Sequence, residues 1–405
     1  MAKIEEYETI VGKGVVHELR LLAERLQGKS VQHVNSTAVG GGVAEILNRM
    51  VPLLREIGVD TRWDVIKGGE QFFQVTKKIH NALHGVEEDI TPEQWDIFWE
   101  TGKRNSEELP CAADIVFIHD PQPIALVNQK EARRNKWLWR CHVDISRSQS
   151  AVFEPLLDRV KQFDAAVFSA PAFAKRIPVR QFLIAPSLDP LSDKNKELRA
   201  NEVEEVLGKY GITSEKPIIT QVSRFDRLKD PVGVIEAFRK VKRHVDCQLV
   251  LAGGSASDDP ESVEVLEQVK QFSEGDRDIH ILLMPQNDIH INALQRASAV
   301  IVQKSLREGF GLTVTEALWK GKPVVASAVG GITVQIKHKY HGLLCHSVDG
   351  AALAIRQVLQ NPEYANWLGG NGREHVRRNF LVTRHLRDYL LAFLSLYKAE
   401  DIIYL

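Results

Sequence analysis

Two glutamates eight positions apart, Glu308 and Glu316, bracket a glycine-bearing turn, Glu308-Gly-Phe-Gly-Leu-Thr-Val-Thr-Glu316, from which a helix is expected to leave. One carboxylate precedes the turn and the other falls in the helix's first turn. Backbone N–H groups at a helix start attract phosphate, and carboxylates beside them can grip hydroxyls, so the pair describes a nucleotide-sugar site. Thr313 and Glu316 also fit a capping box, in which the glutamate only ties back to the helix's first N–H. Glu308, before the turn, has no such second role. Gly309 and Gly311 suit either a close ligand approach or a plain tight turn.

Other residues gather at expected strand ends. Arg224 and Lys229 follow the candidate strand 217–223 and precede a helix, where two fixed cations can neutralise a diphosphate without a metal. An isolated pair of basic residues would only decorate a loop; the strand and the downstream glutamates favour the site. His119 ends another strand and opens His119-Asp120-Pro-Gln122, a polar cluster at a carboxyl edge. The stretch Trp139-Arg140-Cys-His142-Val-Asp144 alternates large and polar residues like a strand with one face on a ligand, although Trp139 also suits a core. Gly40-Gly41-Gly42 links a strand to a helix as a phosphate loop would, yet Glu45 stands where GxGxxG needs glycine, which argues against a nicotinamide dehydrogenase. Asp276-Arg-Asp278 has the spacing of an acidic metal clamp but precedes its strand, and reads as a charged surface turn. No His/Cys spacing suggests zinc, and no Ser/His/Asp set can be singled out.

These residues need a scaffold. The 405 residues are 44% hydrophobic and 26% charged, enough for two cores, with net charge -1 and no broad positive field for nucleic acid or an anionic membrane. Cys111, Cys141, Cys247 and Cys345 are widely spaced, which fits a reducing cytoplasm, and neither a signal segment nor a bilayer-length apolar run is expected. Apolar strands alternate with amphipathic stretches, the α/β pattern of parallel sheets covered by helices. Strands are expected at 30–35, 61–66, 114–119, 165–169 and 181–185, then at 217–223, 248–252, 279–284, 299–303, 323–327 and 342–345. A helix from Val43 buries Ile46, Leu47, Met50, Leu53, Leu54 and Ile57 and stops at Gly58, and a terminal helix carries Leu386, Tyr389, Leu390, Phe393, Leu394 and Tyr397. The proline-bearing stretch 185–195 marks the crossing between two domains, 1–188 completed by 380–405, and 189–379.

Taken together, Gly40-Gly41-Gly42, His119, Arg224-x4-Lys229 and Glu308-x7-Glu316 resemble the retaining GT-B glycosyltransferases of family four over nearly the whole chain. Looser phrases, at 33–37, 42–45, 119–123, 140–144 and 186–195, are similar to trehalose glycosyltransferring synthases and retaining trehalose phosphorylases. The resemblance implies two Rossmann-like domains facing a cleft, with the last helix docked back on the first domain. It implies a donor, ADP- or UDP-glucose, mostly on the second domain: Arg224 and Lys229 on the diphosphate, Glu316 on the ribose, and Glu308 on the glucose with the N–H groups of Phe310, Gly311, Leu312 and Thr313. Gly41 and Gly42 would approach the phosphates and His119 the donor sugar, while Asp120, Gln122, His142 and Asp144 would hold acceptor glucose. Implied too are trehalose as product, no cofactor, no need for Mg2+, and a homodimer. Phosphorolysis of trehalose and noncatalytic nucleotide-sugar binding are the competing readings.

Overall fold

Runs of β-branched and aliphatic residues supply the strands of two all-parallel sheets in the computed structural model, which describes residues 3–39, 41–132, 134–254, 260–284 and 287–397. The chain divides into two units, Met1–Ser187 joined by Val382–Leu405, and Leu188–Leu381.

In the first unit, β1 (Ser30–Asn35), β2 (Asp60–Val65), β3 (Ile115–His119), β4 (Lys136–Cys141), β5 (Ala165–Phe168) and β6 (Arg180–Leu183) lie in the order β2-β1-β3-β4-β5-β6. Sheets of parallel strands are covered on both faces, so their middle strands are apolar throughout. Ile115, Val116, Phe117 and Ile118 are accordingly all buried. The same rule corrects the one-faced strand expected at 139–144. β4 ends at Cys141, Trp137 to Trp139 are buried without alternation, and His142 and Asp144 lie beyond the strand's carboxyl end.

The helix Gly41–Glu56 turns its apolar stripe inward, and the Val59 N–H closes it by donating to the Leu54 carbonyl at 2.9 Å. Two helices absent from the sequence reading follow β2. Glu70–Leu83 buries Phe72, Val75, Ile79 and Leu83, and Pro92–Glu108 starts at Thr91, whose hydroxyl accepts the Gln94 N–H at 3.3 Å. Their apolar faces meet where Phe72 and Phe98 stack at 5.9 Å. The last helix, Val382–Ser395, packs on Lys13–Glu24 and Gly41–Glu56 with Leu386, Leu390 and Phe393 fully buried. It belongs to the first unit because that apolar face has to be covered.

In the second unit, β7 (Ile218–Val222), β8 (Gln248–Gly253), β9 (Ile279–Leu283), β10 (Val300–Gln303), β11 (Val324–Ser327) and β12 (Leu343–Cys345) take the order β12-β11-β10-β7-β8-β9. Each sheet therefore grows first to one side of its opening strand and then to the other. The reversal falls between β1 and β3 in the first unit and between β7 and β10 in the second, and ligands of open α/β sheets bind at the strand carboxyl ends beside such a switch point.

Candidate active site

The second unit places its charges at the β7/β10 reversal. Lys229, in the short turn after β7, lies 2.7 Å from Glu308 Oε2. That oxygen also accepts from Ser305 Oγ at 3.0 Å and Gln303 Nε2 at 3.3 Å. Three donors on one oxygen fix the carboxylate and leave Oε1 without a hydrogen bond among the described residues. Lys304, largely buried after β10, pairs with Asp230, whose other oxygen caps the helix Pro231–Lys242 through the Gly233 N–H at 3.1 Å.

Gly311 starts the helix Leu312–Trp319 with φ +82, a left-handed conformation that costs other residues energy. Behind the turn, a Cβ on Gly330 would stand 1.7 Å from the Glu308 carbonyl oxygen. Only glycine lets the β11 loop press this closely on the turn, and the Gly331 N–H then donates to Gly309 O at 2.9 Å. Gln335 completes the brace, donating to Phe310 O and accepting from Thr315 Oγ1 at 2.6 Å. Gly330, Gln335 and Lys304 escaped the sequence reading; the Gly330-Gly331 pair after a strand was the one available signal.

Arg224 stays 64% exposed, with Asp226 at 3.3 Å as its ion-pair partner. The capping box that Thr313 and Glu316 could have formed is absent. Gly311 is the cap residue, Thr313 Oγ1 donates instead to the Val222 carbonyl at 3.2 Å, and Glu316 sits in the helix's second turn rather than its first. There it is buried, accepting from Gln295 Nε2 at 3.3 Å with Lys194 3.8 Å away. Burial pulls the Lys320 ammonium, one turn further on, down to about 7, against the opposing pull of Glu316. Asp276 and Asp278, at the opposite edge of the sheet, pair with Lys242 at 2.6 and 2.8 Å, as a charged turn would. No cluster of His, Cys, Asp and Glu fit to hold a metal ion occurs among the described residues.

The first unit gathers three imidazoles and a carboxyl beside the buried Arg140 at its own reversal. His119 is buried and both its ring nitrogens are engaged, Nε2 with His33 Nδ1 at 3.0 Å and Nδ1 with His142 Nε2 at 3.1 Å. A sugar hydroxyl can bond to this ring only by displacing one imidazole. Burial pushes the His33 imidazolium down to about 3 and holds those of His119 and His142 well below the usual range, so all three are neutral near pH 7.

Asp120 adopts φ +64 and accepts the His142 N–H on Oδ1 at 2.8 Å, while burial raises its carboxyl to about 7. Gln122 Oε1 is buried with no hydrogen-bond partner among the described residues, an acceptor suited to a ligand hydroxyl. Asp144 caps a local turn through the Ser146 N–H at 2.9 Å. Gly41 and Gly42 open the helix Gly41–Glu56, and Gly40 lies outside the described residues. Thus Lys229 meets Glu308, and His142 meets both His119 and Asp120, whereas Arg224 and Glu316 keep other partners.

Two parallel α/β sheets with charged groups at one reversal and polar groups at the other define a GT-B glycosyltransferase. Residues 202–375 match the family model "Glycosyl transferases group 1", and residues 33–175 match "Trehalose synthase, N-terminal domain". The trehalose synthase of Pyrococcus horikoshii is 44% identical over 395 residues, spanning 96% of this chain and 95% of the relative. The chain belongs to the trehalose synthase family. A trehalose phosphorylase of Pleurotus pulmonarius is 30% identical over 87% of the chain and 55% of its own length. In fold, the chain is similar to an alpha,alpha-trehalose-phosphate synthase (UDP-forming) from Burkholderia xenovorans, at TM-score 0.73 and 15% identity, covering 91% of this chain and all of the other.

Proposed function

We propose that the protein transfers glucose from a nucleoside diphosphate glucose, ADP- or UDP-glucose, to free glucose, forming trehalose reversibly. The Lys229–Glu308 pair carries this reading. A cation and a braced carboxylate 2.7 Å apart at the sheet reversal fit a phosphate joined to a hydroxylated ring. Lys229 and exposed Arg224 take the diphosphate, and Glu308 Oε1 accepts a hydroxyl of the donor glucose. Glu316 reaches the ribose by exchanging its contact with Gln295. On the first unit, Gln122 Oε1, His142 and the Asp120 carboxyl take the acceptor.

The anomeric carbon–oxygen bond to the diphosphate breaks while one to the acceptor hydroxyl forms, and the hydroxyl proton passes to the departing diphosphate. Negative charge grows on the leaving group and positive charge on the sugar. Fixed cations at the former stabilise the transition state, one such contact being worth about 3 kcal/mol, or about a hundredfold in rate. No covalent enzyme intermediate is needed, and configuration is retained when the acceptor enters on the face the diphosphate leaves.

Similarity to the Pleurotus phosphorylase favours a second reading, phosphorolysis of trehalose to glucose 1-phosphate and glucose, for which the same cations serve. Incubation with trehalose plus ADP, UDP or phosphate separates the two. ADP-glucose or UDP-glucose is the expected product, and glucose 1-phosphate formed only with phosphate overturns the transferase assignment.

A further inference from the structure

We propose that His142 meets its ligand as an Nδ1–H hydrogen-bond donor, a tautomer imposed by a chain of three imidazoles anchored at buried His33. The inference rests on the reading of His142 as an acceptor-sugar contact. His33 lies within β1, His119 at the end of β3 and His142 just past β4, so the chain steps from mid-sheet to its carboxyl edge across the β1/β3 reversal. The links are 3.0 and 3.1 Å. His142 is only half-buried, and its Nδ1 is the ring nitrogen left uncommitted among the described residues.

A neutral imidazole has one donor and one acceptor nitrogen, so each link forces the next. Two states satisfy both links. In one, all three rings carry the proton on Nε2; in the other, all carry it on Nδ1. Burial keeps the rings neutral, and the Arg140 cation nearby adds to the cost of protonating His119 and His142. The anchor decides between the states. His33 Nε2 is buried with no hydrogen-bond partner among the described residues, beside the rings of Phe117 at 5.4 Å and Phe393 at 6.5 Å. A proton there would be a buried donor with nothing to donate to, rarer in proteins than an unfilled acceptor. The proton therefore sits on His33 Nδ1 and is donated to His119 Nε2. His119 Nδ1–H donates to His142 Nε2, and His142 presents Nδ1–H to the ligand. It orients a sugar hydroxyl by donating to its oxygen, and it does not take the hydroxyl proton. His33 and His119 are positioning residues, acting through His142.

Long-range 1H–15N correlation spectra of the 15N-histidine-labelled full-length protein at pH 7.5 test this without substrate. Nδ1–H signals are expected at His33, His119 and His142, and Nε2–H at any of the three overturns the proposal. His33→Asn, whose amide can still donate to His119, is expected to keep Nδ1–H at His119 and His142; Nε2–H there counts against it. His119→Phe cuts the chain. His142 should shift toward the Nε2–H form that histidine favours in water, and KM for the acceptor sugar should rise about tenfold with little change in kcat. An unchanged His142 tautomer in the folded variant sinks the chain, and an unchanged KM beside a changed tautomer sinks the role of His142. Should the enzyme prove a phosphorylase, the spectra still decide the tautomers.

Discussion

The two units use the same topology to opposite electrostatic ends. At the β7/β10 reversal, lysines are paired with carboxylates, Lys229 with Glu308 and Lys304 with Asp230. At the β1/β3 reversal, three neutral imidazoles, a carboxyl raised to about 7 and an unfilled amide oxygen stand instead. The division matches the chemistry of glycosyl transfer. A departing diphosphate gains charge and calls for fixed counter-charges, whereas an incoming sugar is neutral and needs only orientation. Lysine–carboxylate pairs stand where charge develops, whereas around the buried Arg140 cation on the other side burial holds the imidazoles neutral and raises the Asp120 carboxyl.

The largest effects should come from the charged side. Lys229→Ala and Arg224→Ala are each expected to lower kcat about a hundredfold or more. They should part in stability. Arg224 is exposed and its pairing with Asp226 is worth at most about 1 kcal/mol, so its loss leaves Tm almost unchanged. Lys229→Ala strands a largely buried Glu308 and should lower Tm as well. Steady-state rates and thermal melts check both, and undiminished turnover in Arg224→Ala removes that residue from the site.

Next comes the brace. Gly330→Ala puts a methyl group 1.7 Å from the Glu308 carbonyl oxygen, so the turn or the β11 loop has to move. A destabilisation of about 1–3 kcal/mol is expected, with turnover falling because Glu308 moves with the turn. Denaturant unfolding and rate assays measure the two losses. Wild-type values for both would mean that the close packing does not position Glu308.

The neutral side predicts a pH dependence. A histidine whose folded pKa is depressed contributes stability that is complete above its unfolded value near 6.5 and is lost as pH falls. Burial depresses His33 to about 3 and also lowers His119, His142 and His385. Asp120 works the other way. Raised to about 7 from 3.8, it favours folding at low pH and loses that contribution as pH rises through 7. Four imidazoles outweigh one carboxyl, so the first unit should weaken from pH 6.5 to 5, by up to about 1.4 kcal/mol per pH unit for each fully shifted histidine. The second unit has five lowered histidines, His280, His290, His338, His341 and His375, but only His375 is lowered far, to about 4, so this unit should slope less. Denaturant unfolding followed at Trp137 and Trp319 in single-tryptophan variants compares them, and equal slopes would erase the contrast.

Much of this arrangement was legible in the residues because local chemistry dictates it. The strand at 30–35 and the helix stopped at Gly58 follow from periodicity and end signals, and the docking of the last helix follows from an apolar face too large to leave bare. What sequence left hidden is long-range. That His33 completes a chain with His119 depends on β1 lying next to β3, and nothing near position 33 announces it. The Thr313–Glu316 spacing left a capping box open as an alternative for the same reason. A capping box is a local pattern, and the hydroxyl found the end of β7 instead. Glu70–Leu83 and Pro92–Glu108 went unread although Thr91 and Gln94 form a real capping box, because their stripes carry aromatics amid many charges.

The smallest expected effect sharpens the comparison most directly, because it moves like charges to the other end of the same sheet. Asp276 and Asp278 precede β9 and pair with Lys242, just as Glu308 pairs with Lys229 beyond the carboxyl ends of β7 and β10. If acidic groups on this sheet mattered regardless of place, removing the two would resemble removing Glu308. If place decides, Asp276→Ala and Asp278→Ala each cost about 1–2 kcal/mol of stability, because their pairs with Lys242 are partly buried, yet leave kcat and KM within about twofold. Added chelator should then change nothing further in either variant. A tenfold fall in turnover, or activity restored by added Mg2+ or Mn2+, would show that the amino edge of the sheet carries part of the chemistry assigned to its carboxyl edge.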